Sequence, residues 1–189
     1  MNYFEKHKTR NTKRQNTIMI ENEVILVDVN DNPIGTMEKM EAHEKAVLHR
    51  AISVFIVNSQ GEWLLQQRTL DKYHSKGLWT NTSCSHPYPG ESSLDAANRR
   101  LTEEMGLKAE LTELFSFTYK QELENNLTEH EYDHVFYGIS DELPQPNPNE
   151  VMDYEYISFT EMKKNVEQHP ENYTAWFKLI YERVGEIIG

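Results

Sequence analysis

Sulfur chemistry is nearly absent from this sequence. Its single cysteine, Cys84, excludes an intrachain disulfide, which fits a reducing compartment, and a cytoplasmic protein is expected. Long apolar runs are missing too: none approaches the roughly 18 residues of a membrane span, so no membrane partner is expected. Basic residues are in deficit, 19 Lys and Arg against 31 Asp and Glu, for a formal net charge of -12. That argues against sequence-independent nucleic-acid binding, which depends on cations neutralising phosphates. It also means that a pocket for an anionic ligand must concentrate its own cations or borrow a metal ion. No internal repeat and no break in composition divides the chain. Its 189 residues, 38% hydrophobic and 26% charged, suit one domain with a single core. Residues 1–16 carry Lys6, Lys8, Arg10, Lys13 and Arg14 without an apolar stretch. They are expected to form a flexible basic arm ahead of a domain at residues 17–189, and not a secretory signal.

Val24 to Val29 reads as a short strand ended by the turn cluster Asn30-Asp31-Asn32-Pro33. Ala51 to Val57, rich in β-branched and aromatic residues, turns at Asn58-Ser59-Gln60-Gly61 into Glu62 to Gln67, a β-hairpin. Ser92 to Met105 predicts a helix, with Ser92 as N-cap and Asp95 three residues on, as in a capping box. Leu94, Ala97, Leu101 and Met105 recur at helical spacing and are expected to face the core, and Gly106 to stop the helix. Phe115 to Tyr119, Glu129 to Ile139 and Tyr154 to Ile157 read as strands. A polar excursion over Glu122 to Asn126 and a Pro/Asn-rich loop over Leu143 to Glu150 interrupt them. Ser158 with Glu161 opens a short helix. A last helix from about Thr174 carries Phe177, Ile180, Tyr181, Val184 and Ile188 as its apolar stripe. The class is mixed α/β, a sheet with helices packed on it.

Arg100 and Glu104, four apart, share one flank of the mid-chain helix, while Glu103 turns toward solvent. Alone, that is an ordinary exposed ion pair. The preceding loop, Ser85-His86-Pro87-Tyr88-Pro89-Gly90-Glu91, is constrained by two prolines and a glycine and delivers the chain to the helix. A carboxylate on a rigid helix beside such a loop can hold a hard divalent ion that also binds substrate phosphates.

Residues 85 to 107 resemble the Nudix box, G-x5-E-x7-R-E-U-x-E-E-x-G-U with U aliphatic. Here Ser85, five residues on, leads to Glu91, then seven residues to Arg99, then Arg100-Leu101-Thr102-Glu103-Glu104-Met105-Gly106-Leu107. Ser85 replaces the opening glycine, and Arg100 replaces a carboxylate that Nudix hydrolases use for metal. A cation in that place favours gripping a diphosphate over cutting it. The flanks narrow the resemblance. Gly77-Leu78-Trp79-Thr80-Asn81-Thr82-Ser83-Cys84-Ser85-His86-Pro87 is similar to the cysteine motif of type 1 isopentenyl-diphosphate isomerases. Glu129-His130-Glu131 stands where that family carries Glu-x-Glu, and Glu38-Lys39, His43 and Leu48-His49-Arg50-Ala51 resemble its upstream lysine and histidines. The resemblance runs from about Val24 to Trp176.

That resemblance implies a Nudix-type mixed sheet flanked by helices and a metal site formed by His43, His49, His86, Glu129 and Glu131. Imidazoles suit zinc and other borderline ions, and added carboxylates favour manganese or magnesium. Glu129 and Glu131, two apart on a strand, leave its same face. The other histidines, His7, His74, His130, His134 and His169, receive no such role. The implied substrate is a small diphosphate, isopentenyl diphosphate, isomerised to dimethylallyl diphosphate through a tertiary carbocation, in isoprenoid biosynthesis. Cys84 and Glu131 are the acid and base candidates, either way round, with Tyr119 beside the glutamate and the Trp176 face stabilising the cation. Lys39, Arg68, Lys72, Ser85 and Arg100 match diphosphate-contacting positions. A magnesium ion arriving with the substrate would be held by Glu104 and the Cys84 main-chain carbonyl. No flavin is implied, and a monomer or weak dimer is expected. Trp79 would help to enclose the pocket. Two other readings are a Nudix hydrolase acting on a nucleoside diphosphate derivative and a non-catalytic binding module. The Cys84, Glu129 and Glu131 set speaks against both.

Overall fold

The strand at the centre of this protein is apolar on both faces, and that decides the architecture. β3 (His49–Val57) sends Phe55 and Val57 into one buried cluster and Ile52, Val54 and Ile56 into another. A strand so patterned needs cover on both sides. In the computed structural model, which describes residues 22–189, helices supply it. The basic arm assigned to residues 1–16 lies outside the described residues.

The chain opens with the hairpin β1 (Glu23–Val27) and β2 (Pro33–Glu38), followed by the short helix α1 (Lys39–Glu44). After β3 come β4 (Glu62–Arg68), the two short strands β5 (Trp79–Thr80) and β6 (Ser83–Ser85), and helix α2 (Ser93–Met105). β7 (Thr112–Glu122), β8 (Thr128–Ile139) and β9 (Val151–Ser158) precede the closing helices α3 (Phe159–Gln168) and α4 (Ala175–Ile188). All nine described strands join one sheet. β3 pairs antiparallel with β1, β4 and β6 and parallel with β8, so the sheet is mixed as the sequence implied. α2 packs Ala96, Ala97, Leu101 and Met105 against one face. α3 and α4 cover the other with Met162, Val166, Phe177, Ile180, Tyr181 and Val184.

Local chemistry sets the helix limits. Ser92 Oγ accepts from Asp95 N at 3.1 Å, and Ser158 Oγ from Glu161 N at 3.3 Å, the two predicted N-caps. Gly106 ends α2 at φ +66°, and a Cβ there would lie 2.8 Å from the Gln145 carbonyl oxygen. That close approach exists because the 143–150 loop docks onto the end of α2. Gln145 N donates to Met105 O at 2.8 Å and Asn147 N to Glu104 O at 2.9 Å, satisfying helix-end carbonyls.

Some expectations change. The first strand stops at Val27, and Val29 is exposed in the turn. β2 and α1 carry no clear periodicity in sequence and appear only in the structure. Leu94, expected in the core, is 45% exposed. Leu94 stands in the first turn of α2, ahead of the buried residues, which begin at Ala96 and widen the arc toward Glu104.

Candidate active site

Strand register brings the chemistry together. In the parallel β3/β8 ladder His49 is the partner of Glu131, and in the antiparallel β7/β8 ladder Tyr119 is. β6 places Cys84 opposite Ser53. Glu129, Glu131 and Asp133 alternate on the buried face of β8. Ser53, Cys84, Glu129 and Glu131, with residues of α2, α4 and the 69–78 loop, wall a cleft of about 350 Å³. Of the predicted residues, Lys39, Arg68, Lys72, Cys84, Ser85, His86, Arg100, Glu129, Glu131 and Trp176 line it. Tyr119 and Glu104 stand behind this lining. Trp79 is not among the lining residues; it packs against the core and accepts from Thr174 N through its carbonyl at 3.0 Å.

At the base of the cleft, His43, His49, His86, Glu129 and Glu131 offer one ligand atom each, all within 4.8 Å of one another. His43 Nδ1 faces the Lys39 carbonyl at 2.7 Å and His49 Nδ1 the Val47 carbonyl at 2.8 Å. A carbonyl only accepts, so each Nδ1 carries a hydrogen and each neutral ring turns an Nε2 lone pair inward. The His43 lone pair meets another acceptor. His43 Nε2 lies 3.3 Å from Glu129 Oε2, yet neither atom, both buried, has a hydrogen-bond partner. His49 Nε2 is 3.2 Å from His86 Nε2, and His86 Nε2 is 2.9 Å from Glu131 Oε1. Acceptors aimed at one another require a proton or a metal cation between them, so the residues present fit a divalent ion.

Electrostatics agree. Burial pushes His86 down to about 4, which leaves a neutral imidazole, the form able to ligate a metal. For His43 burial disfavours the charged form, but the facing Glu129 carboxylate outweighs it and raises the pKa. Burial also works against a charged Glu129, and the imidazoles of His43 and His74 still hold it well below the usual range.

The two acid–base candidates differ in environment. Tyr119 Oη donates to Glu131 Oε2 at 2.6 Å, and burial keeps that phenol protonated, well above its ordinary range. Burial pushes the Cys84 thiol up to about 12, against the opposing pull of Arg68. Arg68 reaches this wall through an irregularity. The β4/β9 register breaks between Gln67 and Arg68, so Gln66 donates to Glu104 Oε2 at 2.6 Å on the α2 side, while the Arg68 guanidinium lies 5.3 Å over the Trp176 ring. Trp176 Nε1 donates to Asn81 Oδ1 at 3.2 Å, which fixes the indole.

The other end of the cleft is cationic. Lys39, Lys72 and Arg100 gather there, and burial together with the two neighbouring cations lowers the Lys39 pKa. Arg100 Nη2 lies 2.9 Å from Glu104 Oε1 and 3.2 Å from Glu150 Oε2, an oxygen that also pairs with Lys72 Nζ. The Lys72 side chain is therefore a cleft residue and not a solvated surface lysine. Sequence reasoning missed Glu150 and His74. Glu150 was visible only as the end of a loop, and His74, set aside among the other histidines, lies 2.9 Å from Glu129.

Comparison with known proteins follows from this geometry. The NUDIX domain family model matches residues 47–177. The chain is 56% identical over 162 residues, 86% of its length and 90% of the relative's, to an isopentenyl-diphosphate Delta-isomerase of Pectobacterium atrosepticum. It is 48% identical over 165 residues, 87% of each protein, to isopentenyl-diphosphate Delta-isomerase 2 of Aromatoleum aromaticum. Among solved structures, a Deinococcus radiodurans protein superposes with a TM-score of 0.72 at 19% identity, covering 85% of this chain and 98% of that one, which shows a shared fold.

Proposed function

The chain belongs to the Nudix family and, within it, to the isopentenyl-diphosphate Delta-isomerases, and from that membership we propose how its cleft works. The reaction interconverts isopentenyl diphosphate and dimethylallyl diphosphate, which feed isoprenoid biosynthesis. The alkene is unactivated. A proton adds to its terminal methylene, a tertiary carbocation forms, and the carbon nearer the diphosphate then loses a proton.

Cys84 and Glu131 are the acid–base pair. The reaction is reversible, so the group that donates in one direction accepts in the other. Tyr119 supports Glu131 by donating to the oxygen that His86 does not face. The Trp176 ring, fixed by Asn81, presents its face to the cationic carbon. Lys39, Lys72, Arg100 and Ser85 bind the diphosphate, while Arg68 spends donors on the Ser75 and His74 carbonyls and orients Cys84.

Nudix enzymes use divalent metals, and His43, His49, His86, Glu129 and Glu131 would hold one here, as Mn2+, Zn2+ or Mg2+. Bound there, it supplies positive charge that fixes the Glu131 carboxylate. A Mg2+ accompanying the diphosphate would be held by Glu104 and the Cys84 carbonyl. This also meets the problem of an acidic protein taking an anionic substrate. No described helix is long and apolar enough to cross a membrane, and the substrate is a small molecule.

The observation that carries this reading is that Cys84 and Glu131 line one cleft whose far end holds Lys39, Lys72 and Arg100. Purified protein given isopentenyl diphosphate and Mg2+ forms dimethylallyl diphosphate. Cys84→Ala and Glu131→Gln each lose about 10²- to 10⁴-fold of the rate with unchanged circular dichroism. Wild-type turnover in either variant removes that residue from the pair. Phosphate release without isomerisation supports a hydrolase instead.

A further inference from the structure

His74 belongs to no ligand set, yet it is 2% exposed and lies against the metal-centre carboxylate Glu129. A buried imidazole is costly unless its nitrogens are partnered. Both are. Nε2 stands 2.9 Å from Glu129 Oε1 and Nδ1 stands 3.1 Å from Ser75 Oγ. A carboxylate only accepts, so Nε2 carries the hydrogen and donates it, and the Ser75 hydroxyl turns its hydrogen to Nδ1.

The loop that presents His74 is held in several ways. Arg68 Nε donates to Ser75 O at 3.2 Å and Arg68 Nη2 to His74 O at 3.3 Å. Ser75 N donates to Glu124 Oε1 at 2.6 Å. Ser75 itself sits at φ +50°, a left-handed backbone that a serine adopts at a cost and keeps because these contacts over-determine it. Trp176 packs edge-on to the His74 ring, with centroids 5.8 Å apart and planes at 87°. With Oε1 occupied by His74, the other Glu129 oxygen, Oε2, is left without a hydrogen-bond partner and faces His43 Nε2.

We propose that His74 is a positioning residue of the metal centre: its Nε2–H fixes Glu129 so that Oε2 alone faces the ion, and this tightens the protein's hold on metal. The proposal rests on the five-residue site described under Proposed function. It assigns His74 a role outside the ligand sphere, because the nitrogen nearest the centre is a donor and not a lone pair.

The test is calorimetric titration of Mn2+ into the full chain, without substrate, for wild type and for His74→Phe, His74→Asn, His74→Gln and Glu129→Gln. Phe removes the donor. Asn keeps polarity but its amide ends near the Nδ1 position, and Gln places an amide donor near Nε2. Affinity falls about 10- to 100-fold in Phe and Asn and recovers most of the way in Gln. If Phe does not fold, the Asn and Gln pair decides alone. Asn binding Mn2+ as wild type does, or Gln failing to recover, overturns the clamp while a weakened Glu129→Gln keeps the site. If Glu129→Gln binds Mn2+ as wild type does, the five-residue site itself is wrong and the clamp falls with it.

Discussion

The Arg68 guanidinium donates to the Cys84 sulfur at 3.7 Å and yet does not make that thiol acidic. Burial outweighs the cation and pushes the thiol up to about 12. A group whose pKa is raised stays protonated through the neutral range. Alkylation by iodoacetamide, followed by mass spectrometry on this only cysteine, is therefore slow at pH 7. The rate climbs without a plateau through pH 10, and modification inactivates. A plateau near pH 8.5, the value of a free thiol, would refute the reading.

Arg100 stands among Glu103, Glu104 and Glu150 and pairs with each of them. Arg100→Glu places a fourth carboxylate in that group and removes a diphosphate donor. KM for isopentenyl diphosphate rises at least tenfold, about 1.4 kcal/mol, and hydrolysis does not replace isomerisation. An unchanged KM would take Arg100 out of the diphosphate grip.

Glu91 links the loop before α2 to its second turn: it receives Arg99 Nε and Nη2 at 2.8 Å each, and Tyr88 N at 2.9 Å. Burial opposes its charge, but Arg99 and the Tyr88 amide win and depress the pKa below 4.5. A depressed carboxylate contributes stability that is present above its unfolded value and is lost as pH falls through the folded one. Glu91→Gln thus lowers Tm at pH 7, with a loss of about 1–3 kcal/mol, and the gap to wild type narrows as pH falls below the ordinary glutamate range. A gap that does not change with pH would point to packing instead of charge.

The position of Leu94 in the first turn of α2 makes a contrast between two leucines of its apolar set. Leu101→Ala opens a cavity beneath the sheet and costs about 2–5 kcal/mol in urea unfolding. Leu94→Ala, at the exposed rim, stays within about 0.5 kcal/mol. Equal losses would restore Leu94 to the core.

Much of the fold was legible because its signals are local. The Ser92 and Ser158 caps, the Gly106 stop and the alternation on β8 each need only a few neighbours. The site was legible through the resemblance of its motifs in combination, which singled out the cysteine, the paired glutamates and three of the histidines. What escaped depends on distant partners. β2 is exposed throughout its length apart from the half-buried Met37, so burial gives it no period. His74 acquires its role from a strained serine and an arginine re-aimed by a register break. Glu150 acquires its role from a loop that caps a helix belonging to another segment. Leu94 obeys helical spacing but stands in the first turn of α2, ahead of the buried residues.

The pairing of His49 with Glu131 in the parallel β3/β8 ladder has a kinetic consequence. No short stretch of the unfolded chain holds the complete ligand set. The loop that joins the two strands must close first, and its entropy is spent before a cation finds its donors. Such a cation stabilises the native state without stabilising the barrier that leads to it. Added Mn2+ is expected to leave the refolding rate unchanged and to slow unfolding, so an ion held by these residues would govern the protein's persistence more than its speed of folding.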